Sequence, residues 1–124
     1  MFKIRSAQVI LLLLLTSSAV AQKVKYKDIF PLLGTNQYRQ AEPFLKIYLK
    51  DNKENPNAYL YMGIIYKEKA EAEDVLLKTE RCIQLMDSAV LFFDLALKGI
   101  DDKEIRKNKE YYVNYNRRDL RSGE

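Results

Sequence analysis

The sequence predicts an all-α fold built from antiparallel helical hairpins. Residues 57–97 contain no proline and a single glycine, so this run has no strong helix breaker. Apolar residues within and before the run recur at spacings of three and four, which places them on one face of a helix. A chain of 124 residues holds one small domain. We expect that domain to span residues 22–116.

Residues 1–21 have the pattern of a secretory signal peptide. Lys3 and Arg5 form a positive start, residues 9–15 are all apolar, and residues 19–21 read Ala-Val-Ala, the small-x-small pattern that precedes cleavage. The apolar run is much shorter than the ~20 residues of a membrane-spanning helix. We therefore expect cleavage after residue 21, no stable membrane span after processing, and a location in the periplasm or cell envelope. The alternative is a retained anchor on a generic helical bundle subunit.

Two short helices are predicted before residue 55. The first begins near Asp28 and ends at Gly34, because glycine suits the left-handed position that stops helices. The second spans residues 37–50, and Pro43 inside it predicts a small kink. Its apolar stripe consists of Tyr38, Ala41, Leu45, Tyr48 and Leu49.

The third and fourth helices are predicted to form a long hairpin. Pro56 after an asparagine is a favourable start for the third. A charged stretch followed by apolar residues places the turn near Leu77, with Thr79 as the cap of a fourth helix that ends at Gly99. One face of the fourth helix carries Ile83, Met86, Val90, Phe93 and Leu97. With its apolar neighbours, this stripe is wide enough to be buried on both sides.

A fifth helix is predicted from Lys103 to about Asn116, capped by Asp101 or Asp102. Its apolar content is too sparse for deep burial. The polar residues 117–124 have little to bury, and we expect them to form a flexible tail.

Two clusters in the hairpin resemble the tetratricopeptide repeat. That repeat has the pattern W-x2-L-G-x2-Y in its first helix and A-x3-F in its second. The corresponding positions here are Tyr59, Met62, Gly63 and Tyr66, followed by Ala89, Phe93 and Ala96. The resemblance implies a right-handed superhelical array in which these residues pack one helix against the other.

The spacing departs from the family, because Gly63 and Ala89 are separated by roughly fourteen residues more than the repeat has. Fourteen residues make nearly four helical turns. Residues 67–80 contain neither glycine nor proline to favour a loop. We therefore expect each helix of the hairpin to be about two turns longer than in the family, giving one elongated hairpin.

The residue types present restrict the possible chemistry. The chain has no histidine, which excludes Ser-His-Asp triads, Cys-His pairs and histidine-ligated metal. Cys82 is the sole cysteine, and we interpret it as a packed thiol. A small cell-wall hydrolase using Glu68 and Glu71, which share a helical face, is the enzyme alternative. We predict no catalysis, no cofactor and no metal. The net charge of +4 includes Lys3 and Arg5, so it does not predict nucleic-acid binding.

Protein or peptide binding is the remaining interpretation. The family resemblance implies a concave groove along the first helix of the hairpin, lined here by Asn57, Leu60, Ile64, Lys67 and Glu71. Leu60 and Ile64 make this surface apolar, so it could receive a partner helix or an extended peptide, or be covered by the fifth helix. We therefore predict an exported scaffold or adaptor in a cell-envelope assembly.

Overall fold

The computed structural model describes residues 23–113, and within that range it confirms the all-α fold class. The α-helices are α1 (Tyr26–Gly34), α2 (Tyr38–Asp51), α3 (Pro56–Ala72), α4 (Thr79–Gly99) and α5 (Asp102–Lys107), and a short 3-10 helix follows (Lys109–Tyr111). The predicted signal peptide and the predicted tail at residues 117–124 lie outside the described residues. No helix in the described range is long and apolar enough to cross a membrane.

Two of the predicted helix starts are confirmed by their caps. The Asn55 side chain accepts hydrogen bonds from the backbone N–H groups of Asn57 (3.1 Å) and Ala58 (3.3 Å), with Pro56 as the first residue of α3. The Asp101 carboxylate accepts one from the backbone N–H of Glu104 at 2.7 Å. Both side chains satisfy donors that have no partner within the helix.

The turn between α1 and α2 differs from the prediction. Gly34 is the last residue of α1, and the left-handed residue is Asn36, with φ of 58°. Asparagine adopts this conformation more readily than most residues, because its short polar side chain can form local hydrogen bonds. Its Oδ1 accepts from the Tyr38 hydroxyl at 3.0 Å.

The turn of the long hairpin lies at residues 73–78 and includes Leu77, near which it was predicted, but it begins earlier in the chain than expected. α3 ends at Ala72, and Asp74 organises the turn by accepting hydrogen bonds from the backbone N–H groups of Leu76 (2.9 Å) and Leu77 (3.1 Å). Such local bonds compete with helix formation. Thr79 is not the cap of α4. Its hydroxyl donates to the Val75 carbonyl at 2.5 Å instead.

α5 is also shorter than predicted, since it ends at Lys107 rather than near Asn116. The Asn108 side chain donates to the Glu104 carboxylate at 2.9 Å at this point, and the chain then continues as the 3-10 helix.

The core lies between α1, α2 and α3. Its fully buried apolar side chains include Ile29 and Leu33 of α1, Leu45 of α2, and Met62 and Ile65 of α3. α4 runs along another side of α3, where the ring of Phe92 stacks against Tyr59 with centroids 6.3 Å apart. α3 therefore packs on both sides, which confirms the predicted hairpin of two long helices.

Candidate functional site

The predicted groove positions do not all lie on one surface. Leu60 and Ile64 of α3 are half-buried, whereas Lys67 and Glu71 are exposed and form an ion pair at 2.9 Å. These four residues follow helical spacing and share one face, here named the α3 strip. Asn57 does not line it, because its side chain is fully buried in the core.

Asn57 joins three separate parts of the chain. The Tyr26 hydroxyl of α1 donates to its Oδ1, and its Nδ2 donates to the backbone carbonyl of Tyr111 at 3.2 Å. Burial raises the pKa of Tyr26 far above its ordinary value, so the hydroxyl stays protonated and remains a donor. The ring of Tyr111 also packs edge-on against Tyr26 and Phe30, each at 4.9 Å. Through Tyr111, the C-terminal segment therefore contacts α1 and the start of α3.

The residues predicted to pack the repeat come together between α3 and α4. Met62, Gly63, Ala89 and Ala96 are buried, and Tyr59, Tyr66 and Phe93 are half-buried. A Cβ added to Gly63 would lie 2.6 Å from two ring carbons of Phe93, so only glycine permits this approach. The ring of Phe92, which the pattern did not single out, lies 5.5 Å from that of Tyr66.

A charged cluster links α2 to α3. The Glu42 carboxylate accepts hydrogen bonds from Lys69 at 2.5 Å and from Lys46 at 2.9 Å. Burial acts to raise the pKa of Glu42, but the two lysines together outweigh it and hold the pKa below its ordinary value. The cluster is an interhelical contact in which two lysines share one carboxylate.

The carboxylates of the enzyme alternative have a different environment. Glu68 and Glu71 are both exposed, and Glu71 is paired with Lys67. A general acid in a glycosidase needs an apolar, buried setting, which neither has in the described structure. Residues 23–113 also contain no group of three side chains arranged to hold a metal ion.

The largest difference from the prediction is the stripe on α4, which is not buried on both sides. Ile83 is 55% exposed, Met86 43%, Val90 55% and Leu97 73%. These four residues are here named the α4 row. Phe93 beside them is half-buried against Gly63. Periodicity identified the apolar face correctly, but α3 covers only the adjoining side of the helix.

The tip of the hairpin is also apolar and exposed. Leu76 is 91% exposed and Leu77 83%, and the hydrogen bonds from their backbone N–H groups to Asp74 hold them there. The charged stretch before these residues had predicted a turn near Leu77, but it did not predict that both leucine side chains would be exposed.

The chain matches no protein-family model, no curated protein and no solved structure. The resemblance to the tetratricopeptide repeat therefore stays a prediction. It rests on the residues that α3 and α4 bring together.

Proposed function

We propose that the protein is an exported protein-interaction module, a scaffold or adaptor that works without catalysis in a cell-envelope assembly. The observation that carries this proposal is the α4 row, four large apolar side chains exposed along one face of a helix. The predicted signal peptide supports export to the periplasm or cell envelope.

The α4 row has the physical properties of a binding surface. Contiguous exposed apolar surface of several hundred Å² is uncommon on monomers and marks interaction sites. Burying such surface against a partner contributes about 25 cal/mol of favourable free energy per Å² of apolar surface. Isolated exposed apolar residues are ordinary, but Ile83, Val90 and Leu97 are spaced seven apart on one face and add to a single surface.

We further propose that the helices form a tetratricopeptide-like array. The close approach of α3 and α4 at Gly63, and the aromatic contacts of Tyr59 and Tyr66 with Phe92, support this interpretation. In repeat arrays each hairpin buries its outer face against the next element. In such an array, an exposed apolar face on α4 is a surface against which another helical element packs.

Site-specific photo-crosslinking in the producing cell tests the proposal. A photoreactive residue at Val90 reports on the α4 row, one at Lys67 on the α3 strip, and one at the exposed Lys103 serves as the control. We expect a discrete protein adduct at Val90 and none at Lys103. An adduct at Lys67 alone would move the binding surface to the α3 strip, and no adduct at either position would refute the proposed function.

A further inference from the structure

The α4 row forms part of a seven-residue repeat. Ile83, Val90 and Leu97 are seven residues apart, and Met86 and Phe93 occupy the second apolar position of the same repeat. This is the a and d pattern with which one helix packs against another by side-chain interdigitation. Met86 is exposed, and Phe93 is shared with the contact to α3.

A second row with the same spacing runs beside the first and is acidic. This row consists of three exposed residues, each of which directly follows the second apolar position of the repeat in the sequence. They are Glu80, Asp87 and Asp94. These three residues are here named the acidic row. Within the part of the chain that the structure describes, none of them forms an ion pair. The edge of the apolar surface therefore carries three negative charges without a paired cation.

We propose that α4 binds a helix of another protein whose apolar face is bordered by lysine or arginine. This inference rests on the proposed interaction function and names the chemistry of the partner. Packing against a basic border lets the acidic row form pairs between helices, as the flanking positions of coiled coils do.

A helix fits this surface better than an extended peptide does. The α4 row runs from Ile83 to Leu97, a length of about 21 Å at the helical rise. α4 offers only side chains there, because its backbone groups are bonded within the helix. An extended peptide would lose water from its backbone N–H groups without gaining partners, whereas a helix satisfies its own.

A second copy of this chain does not supply the complementary charge. In an antiparallel pair of α4 helices the acidic row faces the acidic row, which is repulsive. In a parallel pair it faces Cys82, Ala89 and Ala96, which carry no positive charge and pack toward α3. An anionic membrane surface is disfavoured for the same electrostatic reason. Residues 114–124 contain arginines, but Tyr115 and Leu120 are too few to cover the α4 row.

Binding of two matched peptides to the purified full chain tests the partner chemistry. Both are stapled helices of three heptads with leucine at the apolar positions, and lysine borders them in one and glutamate in the other. We expect the lysine peptide to bind about tenfold more tightly, since exposed pairs each contribute modestly. Added salt should reduce this difference.

Variants of exposed residues identify the surface involved. Val90→Asp should abolish binding of both peptides, and Gln40→Asp, at an exposed position on α2, should leave it unchanged. The double variant Asp87→Lys, Asp94→Lys should reverse the preference toward the glutamate peptide. Circular dichroism verifies that each variant is folded.

Several results would overturn the inference: equal binding of the two peptides, no binding of either, or sedimentation showing self-association that Val90→Asp removes. Stronger binding to anionic vesicles than to the lysine peptide would do the same. The peptide assay is independent of the cross-linking experiment. Adducts at Val90 together with equal binding of the two peptides would leave the proposed function standing and overturn the partner chemistry. A preference for the lysine peptide without adducts at Val90 or Lys67 would refute the proposed function, and with it a cellular partner at α4.

Discussion

Replacing Gly63 by alanine tests the close approach of α3 and α4. Two opposing effects determine the result. Alanine favours a helix interior over glycine by about 0.5–1 kcal/mol. Against this, the new Cβ would lie 2.6 Å from two ring carbons of Phe93, well inside van der Waals contact. Forcing an extra methyl group into a packed interface costs roughly 1–3 kcal/mol. We therefore expect Gly63→Ala to lower the free energy of unfolding by about 1 kcal/mol.

The sign of the effect should depend on Phe93. In a Phe93→Ala background the side-chain atoms nearest the new Cβ are gone, so Gly63→Ala should become stabilising by about 0.5–1 kcal/mol. Gly34 provides a matched control, because it is helical, has no atom within 4 Å of an added Cβ, and does not have a left-handed φ. Gly34→Ala should be neutral or stabilising in either background.

Urea denaturation followed by circular dichroism measures all of these variants, together with the double-mutant cycle. The cycle should give a coupling of roughly 1–3 kcal/mol between positions 63 and 93. If Gly63→Ala is equally destabilising with alanine at position 93, the contact with the ring is not the cause and the packing argument fails.

Three further outcomes are expected. Tyr26→Phe should cost about 1–3 kcal/mol of unfolding free energy, because the buried Oδ1 of Asn57 loses its donor; unchanged urea midpoints would contradict this. The pKa of Glu42 lies below its ordinary 4.5, so its carboxylate stabilises the fold above that pH and the contribution is lost as the pH falls through the lowered pKa. Glu42→Gln should therefore flatten the loss of stability below about pH 4.5, and a parallel decline in both proteins would oppose the assignment. Mass spectrometry of the exported protein should show cleavage after Ala21, and an intact N-terminus would support the anchored alternative.

The sequence predicted the helices well, because hydrophobic periodicity and caps are local. The starts of α3 and α5 followed from Asn55 and Asp101, whose side chains cap the helices in the structure. The end of α3 was missed because Asp74 forms its own turn in a stretch without glycine or proline. A propensity argument does not detect such a side-chain contact.

The candidate site was harder to predict, since it depends on what packs where. The repeat in α4 identifies an apolar face but not the element that covers it, so Val90 was expected to be buried and is exposed. The prediction for Asn57 was wrong in the opposite sense, because this residue was expected to line an exposed groove and is fully buried. Its partners, Tyr26 and Tyr111, are 31 and 54 positions away in the sequence. Only tertiary structure brings them together.

The position of Asn57 between distant partners also constrains when the chain can finish folding. Its buried amide has both hydrogen bonds only after α1, α3 and the segment at Tyr111 have assembled. A growing chain that has not yet reached Tyr111 lacks the acceptor for Nδ2, and leaving that donor buried is costly. The full set of hydrogen bonds at the Asn57 amide therefore requires the segment at Tyr111 as well as α1.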